Sequence, residues 1–107
     1  MEVDLQMASR LNLQTELETL PVQKVYFQPP ESVKLQYDCI VYNLTDIESW
    51  KANNRSYYNE REYQVTLITK NPDNPLIDEI LTMFEKCSFL RHFTSSNLNH
   101  YVYRLYY

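Results

Sequence analysis

Glu62-Tyr63-Gln64-Val65-Thr66-Leu67-Ile68-Thr69-Lys70 reads as the strand around which the other elements can be arranged. Tyr63, Val65, Leu67 and Thr69 fall on one face and Gln64, Thr66, Ile68 and Lys70 on the other, a period of two in β-branched and aromatic residues. Directly after it, Asn71-Pro72-Asp73-Asn74-Pro75 breaks the strand and supplies a helix start. Asn74 can cap the free amide groups, and Pro75 suits the first helical position. Leu76, Ile77, Ile80, Leu81, Phe84 and Cys87 then recur at the spacing of one helical face. This predicts a helix over about 74–87 that covers the sheet, with Asp78 and Glu79 in its first turn and Lys86 near its end complementing the dipole.

Upstream, residues 1–20 read as a helix with a stripe of Met7, Leu11, Leu17 and Leu20, widened by Leu5, Ala8 and Leu13. Its polar face is not basic, so packing on the chain's own sheet is preferred to membrane or partner anchoring. Pro21 ends it. Val22 to Gln28 is a short strand stopped by Pro29-Pro30, which favours an edge or turn. Tyr37 to Leu44 is a further strand with Tyr37, Cys39 and Val41 on one side and Ile40, Tyr42 and Leu44 on the other. Two apolar faces place it in the sheet's interior or against a partner.

Thr45 to Asn59 shows no clear period. It carries Trp50, Lys51, Asn53, Asn54, Arg55, Tyr57 and Tyr58 among polar residues. A loop or projecting hairpin with Trp, Arg and Tyr has the composition of an interaction hot spot, and these residues are the candidate protein interface. The plainer alternative is a connection whose Trp tucks onto the core. Downstream of the second helix, Phe89 to Thr94 and Asn99 to Tyr107 read as a closing hairpin around Ser95-Ser96-Asn97-Leu98. In its second arm Tyr101, Tyr103, Leu105 and Tyr107 share one face, opposite His100, Val102, Arg104 and Tyr106.

A chain of 107 residues supports one domain, 1–107, with a single core. The expected class is α+β: an antiparallel or mixed sheet with an N-terminal and a second helix packed on it. A net charge of −4 argues against phosphate-driven binding of nucleic acid. No apolar run reaches membrane-spanning length and the start lacks the plan of a signal peptide, so a cytoplasmic setting with Cys39 and Cys87 reduced is expected. The chain has no glycine, so residues such as Asn must fill any position needing positive φ, and Asn53-Asn54, Asn59, Asn71 and Asn97 mark expected turns. Ten tyrosines against four phenylalanines point either to a contact surface or to half-buried strands.

The absence of glycine excludes the dinucleotide fingerprint and the P-loop, which need close backbone approach to phosphate. Cys39, Cys87, His92 and His100 have no paired spacing of the kind zinc requires. A Cys87–His92 nucleophile pair is possible in principle, although a strand histidine is more often structural. Glu60 and Glu62 share one side of a strand and read as a solvated edge. No cofactor, no metal and no catalysis are expected.

The order of elements and several phrases resemble a known family. Leu20-Pro21-Val22 leading to Tyr26-Phe27 and Pro29-Pro30, Ile40-Val41-Tyr42, Trp50-Lys51-Ala52-Asn53-Asn54 with Tyr57-Tyr58, and Tyr63-Gln64-Val65-Thr66-Leu67 before a helix are similar to the small tail-completion or tail-terminator proteins. These belong to long-tailed bacteriophages and prophages of Gram-positive bacteria. The resemblance covers most of the chain after Leu20. It departs where Asn53-Asn54 stand in place of an acidic residue followed by Asn, and in the closing hairpin.

The resemblance implies a virion protein of the tail or neck, assembled in the host cytoplasm. It implies a ring, commonly of six subunits, that joins tail to head, with a tail tube protein and a neck or head-completion protein as neighbours. Neither sequence-specific nucleic acid binding nor membrane contact is expected. Ring contacts are heterologous, and a strand edge or the projecting loop can supply one half. The alternatives are a neck adaptor facing the portal, a small cytoplasmic protein-binding module acting as an inhibitor or adaptor, and a cysteine-dependent enzyme.

Overall fold

The computed structural model describes the backbone of residues 2–52 and 56–107 and the side chains of residues 10–47 and 60–107. The chain runs α1 (Glu2–Glu18), β1 (Lys24–Phe27), β2 (Cys39–Ala52), β3 (Ser56–Thr69), α2 (Leu76–Met83), β4 (Cys87–Ser95) and β5 (Leu98–Tyr106). The strands form one mixed sheet in the order β1-β2-β3-β5-β4. Only β1 and β2 are parallel; every other pairing is antiparallel. The expected α+β single domain is what forms, with the 62–70 segment at the sheet's centre.

The alternation in β3 decides what lies on each side. Tyr63, Val65 and Leu67 are buried in one cluster with Ile40 and Tyr42 of β2 and Tyr101, Tyr103 and Leu105 of β5. Both helices cover this face: Leu13, Leu17 and Leu20 come from α1 and its end, and Leu76, Ile80 and Phe84 from α2 and its end. Each such buried side chain contributes about 1.5–3 kcal/mol relative to exposure. The opposite face has no helix. It holds a smaller cluster of Cys39, Ile68 and Leu98, joined by Tyr26, Leu35 and Val41 as the 28–38 connection crosses it.

The helix ends differ from the sequence reading. Within α1, Leu11 is exposed while Leu13 and Leu17 are fully buried, so the buried stripe is rotated from the one expected. Met7, Leu5 and Ala8 lie outside the described side chains. The second helix is shorter than 74–87. Phe84 is already extended, at φ −119° and ψ 144°, and Cys87 opens β4 opposite Leu105. Lys86 therefore sits in the turn after the helix, and the last helical turn carries no basic residue. At the other end Asn74 does cap: its Oδ1 accepts from Leu76 N at 2.9 Å while Pro75 is in αR.

Two left-handed positions make the β4–β5 turn. Ser96 (φ 53°) and Asn97 (φ 65°) are the central residues of a two-residue hairpin, the conformation in which glycine is normally preferred. Gln28 (φ 45°) turns the chain out of β1. Asn97 thus serves as expected, but Asn59 does not mark a turn: it pairs with Ser49 inside the β2–β3 hairpin. Four tyrosines, Tyr42, Tyr63, Tyr101 and Tyr103, belong to the core. Tyr103 is buried and donates to Ile77 O at 2.8 Å, Tyr101 to Pro72 O at 3.1 Å, and Tyr42 to Gln14 Oε1 at 2.5 Å.

One residue joins four segments. Asp38 accepts from Thr69 Oγ1 at 2.7 Å, Lys70 N at 3.1 Å and Asn74 Nδ2 at 3.4 Å, and its carbonyl accepts from Gln23 N at 2.8 Å. It ties the starts of β1, β2 and α2 to the end of β3. Asp38→Ala is expected to lower stability by about 2 kcal/mol, since it leaves Thr69 and Asn74 without their shared acceptor. A urea midpoint unchanged from the parent would contradict this. Ser96→Gly, by contrast, is expected to raise stability by about 0.5–1 kcal/mol by relieving the left-handed backbone.

Candidate functional site

β2 and β3 outrun the rest of the sheet. β1 accompanies β2 only to Tyr42, and β5 accompanies β3 only to Glu62. Beyond that, Asp46↔Glu62 through Ala52↔Ser56 form a two-stranded ribbon. At about 3.3 Å per residue it reaches about 20 Å past the sheet. Of the two readings of 45–59, the structure adopts the projecting hairpin. Its register sets Trp50 opposite Tyr58 and Lys51 opposite Tyr57. Asn53, Asn54 and Arg55 lie outside the described residues, as do the side chains of Trp50, Lys51, Tyr57 and Tyr58.

The ribbon is anchored at its root by a network on the face away from the helices. A register shift between Leu44 and Asp46 turns Thr45 toward β3. Its hydroxyl donates to Glu62 Oε2 at 2.7 Å, Tyr106 OH donates to Glu62 Oε1 at 2.9 Å, and Arg104 Nε lies 3.5 Å from Oε1. Glu60, one step outward on that face, is paired with Lys86. Glu60 and Glu62 therefore do share a side, and each is met by a cation. Across from them β2 sets Glu48 opposite Glu60 and Asp46 opposite Glu62. Like charges directly opposed are unfavourable, which gives the cations at the root their structural value.

Of the recesses that flank the root, two differ most in lining, one meeting Cys87 and one lying on the open face. One, of about 400 Å³, is lined by Glu60, Glu85, Lys86, Cys87, Ser88 and Tyr106. The other, of about 270 Å³, lies on the open face among Thr45, Glu62, Gln64, Arg91 and Arg104. Burial pushes the Cys87 thiol up to about 11, and burial, with the Asp38 charge second, does the same for Cys39. A thiol held protonated is a poor nucleophile. His92 is not beside Cys87: it pairs with Tyr101 while Cys87 pairs with Leu105, about 13 Å apart along the strand. It stacks on Tyr101 at 4.5 Å and meets Asn99 Oδ1 at 3.2 Å. Cys39 and Cys87 are both free, packed on opposite faces of the sheet.

The outer strand β4 was not singled out by the sequence. Most of its residues are exposed, including Phe89 and Phe93 at 44% and 42%. Among the described residues β5 is its one strand partner. Phe93 stacks on His100 at 4.6 Å on the open face, and Phe89 meets Tyr103 edge-on at 5.7 Å on the helix face. Among the described residues no group of His, Cys, Asp and Glu could hold a metal ion, and no helix is long and apolar enough to cross a membrane.

The hydrogen bond from Thr45, then that from Tyr106, and the Arg104 charge hold the Glu62 carboxyl below its ordinary value of 4.5, against a smaller effect of burial. The unfolded chain thus takes up a proton at higher pH than the folded one. Glu62 stabilises fully above the ordinary value, and that stability is lost as pH falls through the lowered one. Glu62→Gln is expected to shrink the drop in thermal midpoint between about pH 6 and about pH 3. Parallel curves for the two proteins would show the network contributes nothing.

No family model matches this chain, and no curated protein matches it either.

Proposed function

We propose that the chain is a structural protein of a long-tailed phage virion, a tail-completion or tail-terminator protein that acts by forming a ring where tail meets head. The observation that carries this reading is the projecting β2–β3 ribbon. A two-stranded ribbon is only marginally stable in water, so an arm of this length gains by lying on another chain. The short phrases shared with the tail-completion proteins include the two arms of this ribbon, Trp50-Lys51-Ala52 and Tyr57-Tyr58. The acidic balance suits a ring through which DNA slides, because a channel without clustered Lys and Arg does not hold phosphates. Its neighbours are then the tail tube protein on one side and a neck protein on the other.

The role follows from geometry rather than from a reactive group. Each copy offers the arm and a separate receiving surface, and rotation closes the contacts into a ring. Purified protein is expected to climb with concentration toward a mass near six times 12.9 kDa in light scattering. Disrupting the coding sequence in the phage or prophage that carries it is expected to leave heads and tails unjoined in electron micrographs. Intact particles from the disrupted phage would refute the reading, and a single-partner complex of a monomer would favour a protein-binding module.

A further inference from the structure

Among the described residues four stretches of strand edge have no partner strand: the short β1, the outer side of β3 from Ser56 to Glu60, and two longer ones of nearly equal length. One is the outer side of β4, residues 87–95. The other is the outer side of β2 after Leu44, whose amide is taken by the Gln28 side chain; from Thr45 to Ala52 no further strand pairs there among the described residues. β4 carries two of the usual protections of a free edge, the charged Arg91 and a bulge, and lacks the others. It contains no Pro and no Lys, and only the irregularity at Leu90 interrupts it.

We infer that β4 of one copy pairs with the outer edge of the β2 ribbon arm of the next, continuing the sheet from subunit to subunit. The inference rests on the ring reading above and names its interface. Three observations select this pairing. First, the charges match by face. Arg91 pairs with Val102 and so stands on the open face; Asp46, opposite Glu62, holds a position on that same face. Second, the apolar positions match by face. Phe89, against Tyr103, and Ile47, opposite Arg61, lie on the helix side, exposed at 44% and 45%.

Third, the other edge pairings are disfavoured: the open side of β3 is shorter, Tyr107 N already donates to Arg61 O there, and its Glu60 is already engaged by Lys86. Arg91 is the central residue of β4, so a two-fold β4–β4 pairing sets arginine against arginine. β1 is only four residues long and begins with Lys24, again facing a cation with a cation. The contact joins two different surfaces, so it closes a ring or extends a filament, and backbone hydrogen bonds supply its affinity while Arg91 with Asp46 sets its register.

The test exchanges the charges. Arg91→Glu and Asp46→Arg are each expected to weaken self-association at least about tenfold, read by analytical ultracentrifugation. The double variant, and a one-to-one mixture of the two single variants, are expected to recover it to within about threefold. Asp46→Asn keeps the acceptor used by Ile47 N and is expected to give a smaller loss in the same direction. Circular dichroism checks that each variant is folded. Recovery in the double variant but not in the mixture would mean a pair within one chain and would overturn the interface. Rings that keep their mass in both single variants would overturn it too, while leaving the ring reading standing. A parent chain that stays at 12.9 kDa at every concentration would also remove it, and the phage disruption then decides the reading independently.

Discussion

β3 must satisfy a neighbour on each edge and a layer of helices on one face, and that triple demand sets the register of the whole sheet. A slip of one residue would send Gln64 and Thr66 into the core and turn Tyr63, Val65 and Leu67 out to the open face. Nothing in the alternation tolerates this, because both flanking strands match it: Tyr42 faces Val65, and Val65 faces Tyr103. Asp38 then holds the end of β3 against the starts of β2 and α2 through its carboxylate and against the start of β1 through its carbonyl, so the strand's position along its own axis is as constrained as its facing.

Tyrosine carries much of the link between layers. Tyr42, Tyr101 and Tyr103 bury their rings against the sheet and spend their hydroxyls on α1, on the loop before α2 and on α2 itself. Arg10 completes the α1 attachment, with its guanidinium 4.6 Å from the Phe27 ring and 3.3 Å from Tyr42 OH. At the chain's last described residue Tyr107 donates to Glu16 and sets its ring edge-on to Phe84, so burial and the Glu16 carboxylate hold its hydroxyl up at about 12. A phenylalanine-rich core of the same volume would lack these directional contacts between helix and sheet.

What could be read from sequence was the part governed by period. The alternation of β3, the two faces of β2 from Cys39 to Leu44 and the second arm of the closing hairpin to Tyr106 survive, whereas Tyr37 lies before β2 and is exposed, and Tyr107 lies past β5. The end of α2 was illegible because Phe84 and Cys87 fit a helical face as well as they fit an extended run, and only the pairing of Cys87 with Leu105 decides between them. The exposure of Leu11 was hidden for a similar reason: leucines are scattered on several sides of α1, and contact with Tyr42 and Phe27 selects the stripe. The ribbon showed no period, and it runs where neither β1 nor β5 accompanies it. Ser96 carried no signal for positive φ; the two-residue geometry of the hairpin imposed it.

β5 fills the second edge of β3, yet it follows every other element in the chain. During synthesis the central strand therefore acquires β2 early, through a local hairpin, and waits for its other neighbour until residues 98–106 have emerged. A chain halted after β4 presents β3 with an open edge and an aromatic face covered only in part. That nascent species has the features that recruit chaperones and seed aggregation, so the slow, exposed stage in making this domain lies between the synthesis of β4 and that of β5.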